Sequence, residues 1–592
     1  MLKDLKNLTV AATSDNSAKH LQGIIAELAG IQLDILPFDK EKRQILISHK
    51  DCAPAEYGWK TDKNTIILLC GAFVDLRTAA EKLLMSDVSS DCLFTAEGRY
   101  FEPLEHTTDA LDSQSSSRIR AVLETENTDL SRVSGTVYYI SEANGDDGND
   151  GLSKERPFKT AAPLSDLSLS EGDTVLFERG GLYRGAVKVH SGVTYGSYGS
   201  GEKPIICGSR LNYAQGGLWR LHDEKNMIWC LDMPMIDPGI MVFNAHTRDV
   251  CAYGETTALR ILDKPDRSGY DRLLEADDLS FYWGTPETKH ETFDHRSRSY
   301  PIYLKSKCDP NSDFSDIEIG EDVPLFYIGD LSNVTIDNLC MKFCGGHAIS
   351  GYKRVIELTV ENCVFAWIGG SLLWKDTRYG NAIEIFGGCD GYKAKNNWIY
   401  EIYDTGITFQ YHFSDGDPHM DNIVIANNII ERSYWLLEWW LSPDVKGAPC
   451  SSKNILIENN FLKFGFRSWG TLQHGIHVDD DGRACSWGAG IASGGLGDTA
   501  ENIVIRRNIL DRSFVESDEH VMTRLMNYYS GGSAAVTEWT DNCFIQYDDQ
   551  FFARISNADG GAFYTADKQS IDTALSKIPV MNGEKICLIK KR

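Results

Sequence analysis

The chain has 592 residues, 42% of them hydrophobic, and a formal net charge of −26. So large an acidic excess argues against a nucleic-acid partner, because phosphate neutralisation needs clustered Lys and Arg, and it disfavours a polyanionic substrate. No run of about 18 apolar residues occurs, so no membrane span is expected, and a chain this long points to two or more domains.

The first residues, MLKDLKNLTVAATSDN, hold no apolar region and no small-residue cleavage site, so no signal peptide is expected. LTVAAT, QILISH and TIILLCG read as strands. SAKHLQGIIAELAG sets Leu21, Ile24, Ile25 and Leu28 at helical spacing and stops at Gly30. DLRTAAEKLL reads as a second helix. Residues 1–125 are therefore expected to form a small α/β domain. The polar, Ser-rich stretch HTTDALDSQSSS reads as connecting chain, and the linker is bounded at 126–136. The 15 Cys are scattered, often inside apolar strands, as with Cys70, Cys207 and Cys363. That pattern suits reduced, buried thiols in a cytoplasmic protein.

From about Val137 the texture changes to short strands broken by Gly, Asn and Asp turns. One unit recurs: LTVENCVF, YKAKNNWIY, IVIANNII, ILIENNFL and IVIRRNIL. In each an Asn closes one apolar strand and opens the next: Asn362, Asn397, Asn428, Asn460 and Asn508, at intervals of 31 to 48 residues. A looser copy surrounds Asn338. Strand repeats at such a period point to a solenoid, with coils stacked at about 4.8 Å, apolar rows inside and an Asn at one corner of each coil. The expected fold is mainly β, a right-handed parallel β-helix over 137–555, with an excursion at about 211–322 and a C-terminal cap over 556–592. GLWRL, MIWCLDM and SYPIYLKS read as strands of the excursion.

The segment from Tyr138 to Ser209, containing SEANGDDGNDGLSKERPFKTAAPLSDLSLSEGDTVLFERGGLYRGAVKVHSGVTYGSYGSGEKPIICGS, resembles the N-terminal cap and first coils of bacterial right-handed parallel β-helix proteins of the pectate-lyase-like superfamily. The resemblance extends over about residues 136–555 and is closest to bacterial β-helix glycoside hydrolases. It implies a carbohydrate-active enzyme. The first 125 residues resemble the small α/β domain that precedes catalytic domains in some glycosidases.

Aligned on the corner Asn, NAIEIF, TGITFQ and WLLEWW become one strand in three successive coils. Glu384 then stands beside Thr408, and Glu438 falls near the same file with one residue of slack. Asp404 lies at the corner beside them. Positions one coil apart are about 5 Å apart, and positions two coils apart about 10 Å. Glycosidases need two carboxyl groups, about 5–5.5 Å apart for retention and about 6.5–9.5 Å for inversion, so Glu384, Asp404 and Glu438 are the candidate catalytic set. Most of the 85 acidic residues are solvated surface charges; three in one file beside aromatics stand apart.

Eight of the 13 Trp fall between positions 367 and 487. Neighbours on a strand face opposite ways, so Trp439 or Trp440 is expected near the surface, where an apolar sugar face can stack. Trp469, Gln410, His412 and His474 complete the expected sugar-binding set. QYHFSDGDPHMD and LQHGIHVDDDG bring Asp415, Asp417, His419, His477 and Asp479 nearby. Asp clusters suit Ca²⁺, but the spacing matches no EF-hand loop, and no cofactor is expected. DPH resembles a short motif of β-helix uronate epimerases.

The expected function is hydrolysis of an oligosaccharide. A polysaccharide lyase or epimerase is the alternative, with Lys375, Arg378, Tyr411 or His412 abstracting a proton beside a uronate. Acidic surroundings disfavour it, because a uronate would be repelled. A non-catalytic carbohydrate-binding solenoid is the third reading. Nothing in the sequence indicates a nucleic-acid or membrane partner.

Overall fold

The computed structural model describes residues 8–11, 17–29, 31–39, 42, 44–48, 57–62, 65–70, 92–95, 100–101, 107–246, 256–264, 266–287, 299–374, 377–411, 419–441, 451–466, 468–472, 477–478, 484–485, 489–493, 499–512, 524–529, 537–547, 550–557, 560–578, 581–582 and 585–589. Two compact units form, one chiefly from residues 1–124 and the other from 125–248 and 255–585.

The first unit holds a five-stranded sheet in the order Ile35–Leu36, Thr9–Ala11, Gln44–Ser48, Thr65–Cys70, Tyr57–Asp62. All neighbours are parallel except the last pair. Helix Ser17–Ala29 brings Leu21, Ile24 and Ile25 against Val10, Ile45 and Leu68 of the sheet, as its 3.6-residue spacing requires. The second expected helix, DLRTAAEKLL, lies outside the described residues. The Ser-rich stretch expected to connect the units is instead helical, Thr107–Leu123. Its serines are tolerated because burial of Ser115, Ser116 and Val122 outweighs a weak local propensity.

The second unit is a parallel β-helix whose coils carry three sheets. Sheet 1 stacks eleven strands, from Val137–Ile140 to Met581–Asn582. Sheet 2 includes Ile205–Cys207, Cys340–Cys344, Val364–Ile368, the first halves of Trp398–Tyr411 and Ile429–Leu441, Phe461–Lys463 and Ile509–Asp511. Sheet 3 includes Phe326–Tyr327, Ile349–Gly351, Ile383–Ile385, the second halves of the two long strands, Ala489–Ser493 and Arg524–Tyr529. Inward rows such as Ile349, Ile383, Ile407, Leu437 and Met526 are fully buried. Each coil adds another layer to these rows, so hydrophobic burial extends along the axis.

The Asn corner lies between sheets 1 and 2, with one correction. Asn397, Asn428, Asn460 and Asn508 form a buried file, and Asn542 extends it. From Asn397 to Asn508 each amide donates to the next Asn Oδ1 in the file and to a sheet 1 carbonyl, as Asn428 does to Asn460 and Ala394. Asn362 does not belong. It sits one position earlier, at φ 56°, in a column with Asn338, Asn396, Asn427 and Asn459 that turns through the left-handed region. Cys363 holds its coil's file position, and its backbone N donates to Asn397 Oδ1. Asn serves both columns for different reasons: it tolerates positive φ in one, and it satisfies buried backbone groups in the other.

Strand Ile205–Cys207 pairs directly with Cys340–Cys344, so the chain between them leaves the coil and returns. It folds into a five-stranded sheet, Trp219–Asp223, Ile228–Met235, Tyr300–Lys305, Ser280–Trp283 and Leu259–Ile261, beside a three-stranded one. Trp219, Met241, Phe243, Phe281 and Ile302 form its core.

Candidate active site

Sheet 3 carries the carboxylates. Its register sets Tyr327, Ser350, Glu384, Thr408, Glu438, Ala492 and Asn527 side by side. Glu384 and Glu438 therefore flank Thr408 with no slack in the alignment. Ile383 and Ile385 point into the coil and are buried, so alternation turns Glu384 to the opposite face. Ile407 with Phe409, and Leu437 with Trp439, do the same for Thr408 and Glu438. Outward groups on sheet 1, such as Glu357, are exposed, yet Glu384 and Glu438 retain 2% and 7% of their accessible surface.

Hydrogen bonds lean both side chains the same way. Asn381 Nδ2 donates to Glu384 Oε2, and Thr405 Oγ1 donates to Glu438 Oε2 at 2.8 Å. Asn381 Oδ1 accepts from Thr405 N at 2.8 Å, and Asn381 N donates to His347 Nδ1 at 3.0 Å. A continuous chain of bonds thus crosses the coils from His347 to Glu438. Gln410 Nε2 donates to Thr408 Oγ1 at 2.9 Å and to Glu438 Oε2 at 3.3 Å. Just before Asn381 the chain needs glycine: Gly380 has φ +138°, and a Cβ there would lie 2.1 Å from Gly369 Cα.

Asp404 immediately precedes Thr405, on the strand next to that of Glu438. Its backbone N donates to Gly380 O at 3.2 Å, and among the described residues its carboxylate has no hydrogen-bond donor. Burial, then the Glu438 charge, raises its pKa well above the ordinary value. Burial also raises Glu384 well above its ordinary value; the Asn381 amide opposes the shift, and Glu438 and Asp404 reinforce it. Neighbouring carboxylates in a poorly solvated site cannot all ionise cheaply, so this cluster holds protons that exposed carboxylates would lose.

The expected sugar-binding residues divide. Gln410 is at the site. Trp439 is not on the outward face: it is 2% exposed and stacks on Phe409 inside the coil. In the pair Trp439–Trp440, alternation gives the inward place to Trp439; the side chain of Trp440 lies outside the described residues. Trp469 is also buried, its Nε1 donating to Glu401 O at 3.1 Å and its ring packed on Tyr403. His412 and His474 lie outside the described residues, as do Asp415, Asp417 and Asp479. No group of His, Cys, Asp or Glu among the described residues is arranged to hold a metal ion.

The alternative proton-abstracting residues are placed as follows. Arg378 is buried, donates to Gly370 O at 2.5 Å and Gly239 O at 2.8 Å, and lies 4.5 Å from the Tyr403 ring centroid. Burial lowers its pKa to about 10. Tyr411 is 2% exposed, and Lys375 and His412 are outside the described residues. Sequence reading passed over Asn381, Thr405 and His347. Asn381 and Thr405 are the first residues of NAIEIF and TGITFQ, so their shared column was present in the alignment that brought the carboxylates together.

No family model matches the chain. Over 106 residues it is 32% identical to a lacto-N-biosidase of Bifidobacterium longum subsp. longum, a stretch that makes up 16% of this chain and 6% of that protein. The chain therefore spans only a small part of the length of this curated relative. Among solved structures it is similar to XylC in complex with xylose (13% identity, 71% of this chain and 70% of that one, TM-score 0.39). It is similar to the GH136 lacto-N-biosidase from Eubacterium ramulus (13% identity, 82% and 71%, TM-score 0.33). A third is a glycoside hydrolase (11% identity, 76% and 96%, TM-score 0.40). The chain is a parallel β-helix protein, established by its own stacked ladders of parallel strands.

Proposed function

We propose that this protein is a glycosidase that hydrolyses a neutral oligosaccharide on the outward face of sheet 3. One observation carries the reading: Glu384, Asp404 and Glu438 stand together on adjacent strands, and burial with mutual repulsion keeps Asp404 and Glu384 protonated beyond the usual carboxylate range. The local match to a protein named lacto-N-biosidase accords with it.

Asp404 is the general acid. Burial and the neighbouring Glu438 charge raise its pKa, so it can give a proton to the glycosidic oxygen as the C–O bond breaks. Glu438, which accepts from Thr405 and Gln410, is the carboxylate those donors orient toward the reacting centre. It either takes a proton from the attacking water or attacks the anomeric carbon itself. Glu384, whose pKa burial also raises, is a second protonated carboxyl of the cluster, and the Glu438 charge helps to keep the Asp404 proton in place. A uronate substrate would meet the Glu438 carboxylate unfavourably, and Arg378 is already committed to two backbone carbonyls, which weighs against the lyase reading.

The test incubates the protein with neutral and acidic oligosaccharides and follows new reducing ends and ultraviolet absorbance together. Reducing ends without absorbance, reduced by about 10²-fold or more in Asp404→Asn and Glu438→Gln, support the proposal. An unsaturated, absorbing product, or full activity in both variants, overturns it.

A further inference from the structure

The outward face of sheet 3 carries a second column beside the carboxylates. Phe386 N donates to Gly351 O at 2.8 Å, which extends the ladder past Ile385 and sets Phe386 beside Tyr352. Their ring centroids are 5.3 Å apart, tilted by 42°. Both rings are partly exposed. Pairing of Ile385 with Phe409 places Gln410 next in this column. Phe386 lies two residues beyond Glu384, on the same face, about 7 Å along the strand. Tyr327, in the carboxylate column two strands before Glu384, is 44% exposed.

We infer that Tyr352 and Phe386 form a sugar-binding platform that holds the pyranose ring adjacent to the scissile linkage; this rests on the glycosidase reading. The column runs from aromatic rings to an amide and then borders carboxylates, so an occupant needs an apolar face and a hydroxyl-bearing edge. A pyranose ring has both. Two tilted rings are too small for a protein partner, whose interfaces occupy about 800 Å² on each side. A nucleotide base could stack, but its phosphate would meet the Glu438 carboxylate. Trp439 and Trp469, expected to bind sugar, are buried, and a Tyr–Phe pair presents its rings instead.

The experiment uses the full chain carrying Glu438→Gln. Calorimetry measures its affinity for neutral tetrasaccharides of xylose, glucose, galactose or N-acetylglucosamine. Adding Phe386→Ala or Tyr352→Ala is expected to weaken binding by about fivefold to tenfold, the scale of one aromatic contact. Phe386→Leu, which keeps apolar bulk without a ring, should weaken it similarly, and Phe386→Trp should retain it. In the otherwise native chain, Phe386→Leu should raise KM by a similar factor and change kcat little. Unchanged affinity in the Ala and Leu variants overturns the platform. Cleavage that ignores Phe386 leaves the glycosidase standing and removes the platform. Binding that depends on Phe386 without any cleavage does the reverse. If no tetrasaccharide is bound or cleaved, both fall.

Discussion

The Thr405 hydroxyl donates to Glu438 Oε2 at 2.8 Å from the neighbouring strand. Stacked coils make this bond possible, because a corner residue of one coil can support an outward carboxylate of the next. Thr405→Val keeps the shape and removes the donor. A hydrogen bond to a charged group is worth about 1.5–3 kcal/mol, so kcat should fall at least about tenfold, KM should move little, and Thr405→Ser should recover most of the loss. Steady-state kinetics on whichever oligosaccharide the parent cleaves would measure this. An unchanged kcat would mean that Glu438 is positioned by other groups.

Asn381 serves Glu384 with its amide N–H and Thr405 with its carbonyl oxygen. Asn381→Ala leaves the buried Thr405 N without its acceptor and Glu384 without its donor. The expected cost is about 2–4 kcal/mol in urea denaturation. Without the amide Glu384 holds its proton more tightly still, so the alkaline limb of the activity profile should shift. A profile that keeps its shape would assign Asn381 to the scaffold alone.

Asp404 and Glu384 bind protons more tightly in the folded chain than in the unfolded one, where they titrate near about 3.9 and 4.3. Their protonated forms stabilise the fold fully below about pH 4. That contribution is lost as pH rises through the raised folded values, at about 1.4 kcal/mol for each pH unit separating the folded from the unfolded value. Thermal denaturation of the parent should therefore show Tm falling as pH rises above about 4. Asp404→Asn and Glu384→Gln cannot ionise, so each should flatten the fall and raise Tm near neutrality. Parallel Tm curves for parent and variants would contradict the raised values.

The two Asn columns should respond differently. Asn428 donates to Ala394 O and Asn460 Oδ1, and accepts from Asn397 N and Nδ2. Replacing it with Ala strands buried backbone groups and should cost about 3 kcal/mol or more. Asn427, one residue earlier, is exposed at φ 59°. There Gly should be tolerated within about 1 kcal/mol and Val should not, because a β-branched residue resists positive φ. Equal losses for Asn428→Ala and Asn427→Gly would refute the distinction.

Eight cysteines are placed as free thiols: Cys308 is exposed, Cys543 is intermediate, and Cys207, Cys230, Cys340, Cys344, Cys363 and Cys389 are buried. Burial pushes the Cys344 and Cys363 thiols up to about 12, and a thiol that stays protonated is a poor nucleophile. In native protein an aromatic disulfide reagent followed by peptide mapping should label Cys308 ahead of Cys344 and Cys363, and denaturation should release the rest. Early labelling of Cys363 would show that the corner opens.

The repeat was legible because each coil must satisfy the same local demands: alternating apolar residues for the interior and an Asn where the chain turns. Those demands act within about ten residues, so LTVENCVF or IVIANNII declares itself without its neighbours. Alignment of the repeats also brought Glu384, Thr408 and Glu438 together, since parallel stacking turns sequence register into spatial register. The error at Asn362 arose because adjacent corner positions both accept Asn, and only the stack separates the ladder from the turn. The helix at Thr107–Leu123 was missed because its support comes from burial rather than propensity. Which Trp face inward, how Asn381 and Thr405 grip the carboxylates, and how far burial raises Asp404 were decided by tertiary structure alone. Each depends on groups brought together from different coils, and the free energy of a buried charge is set by everything around it in space.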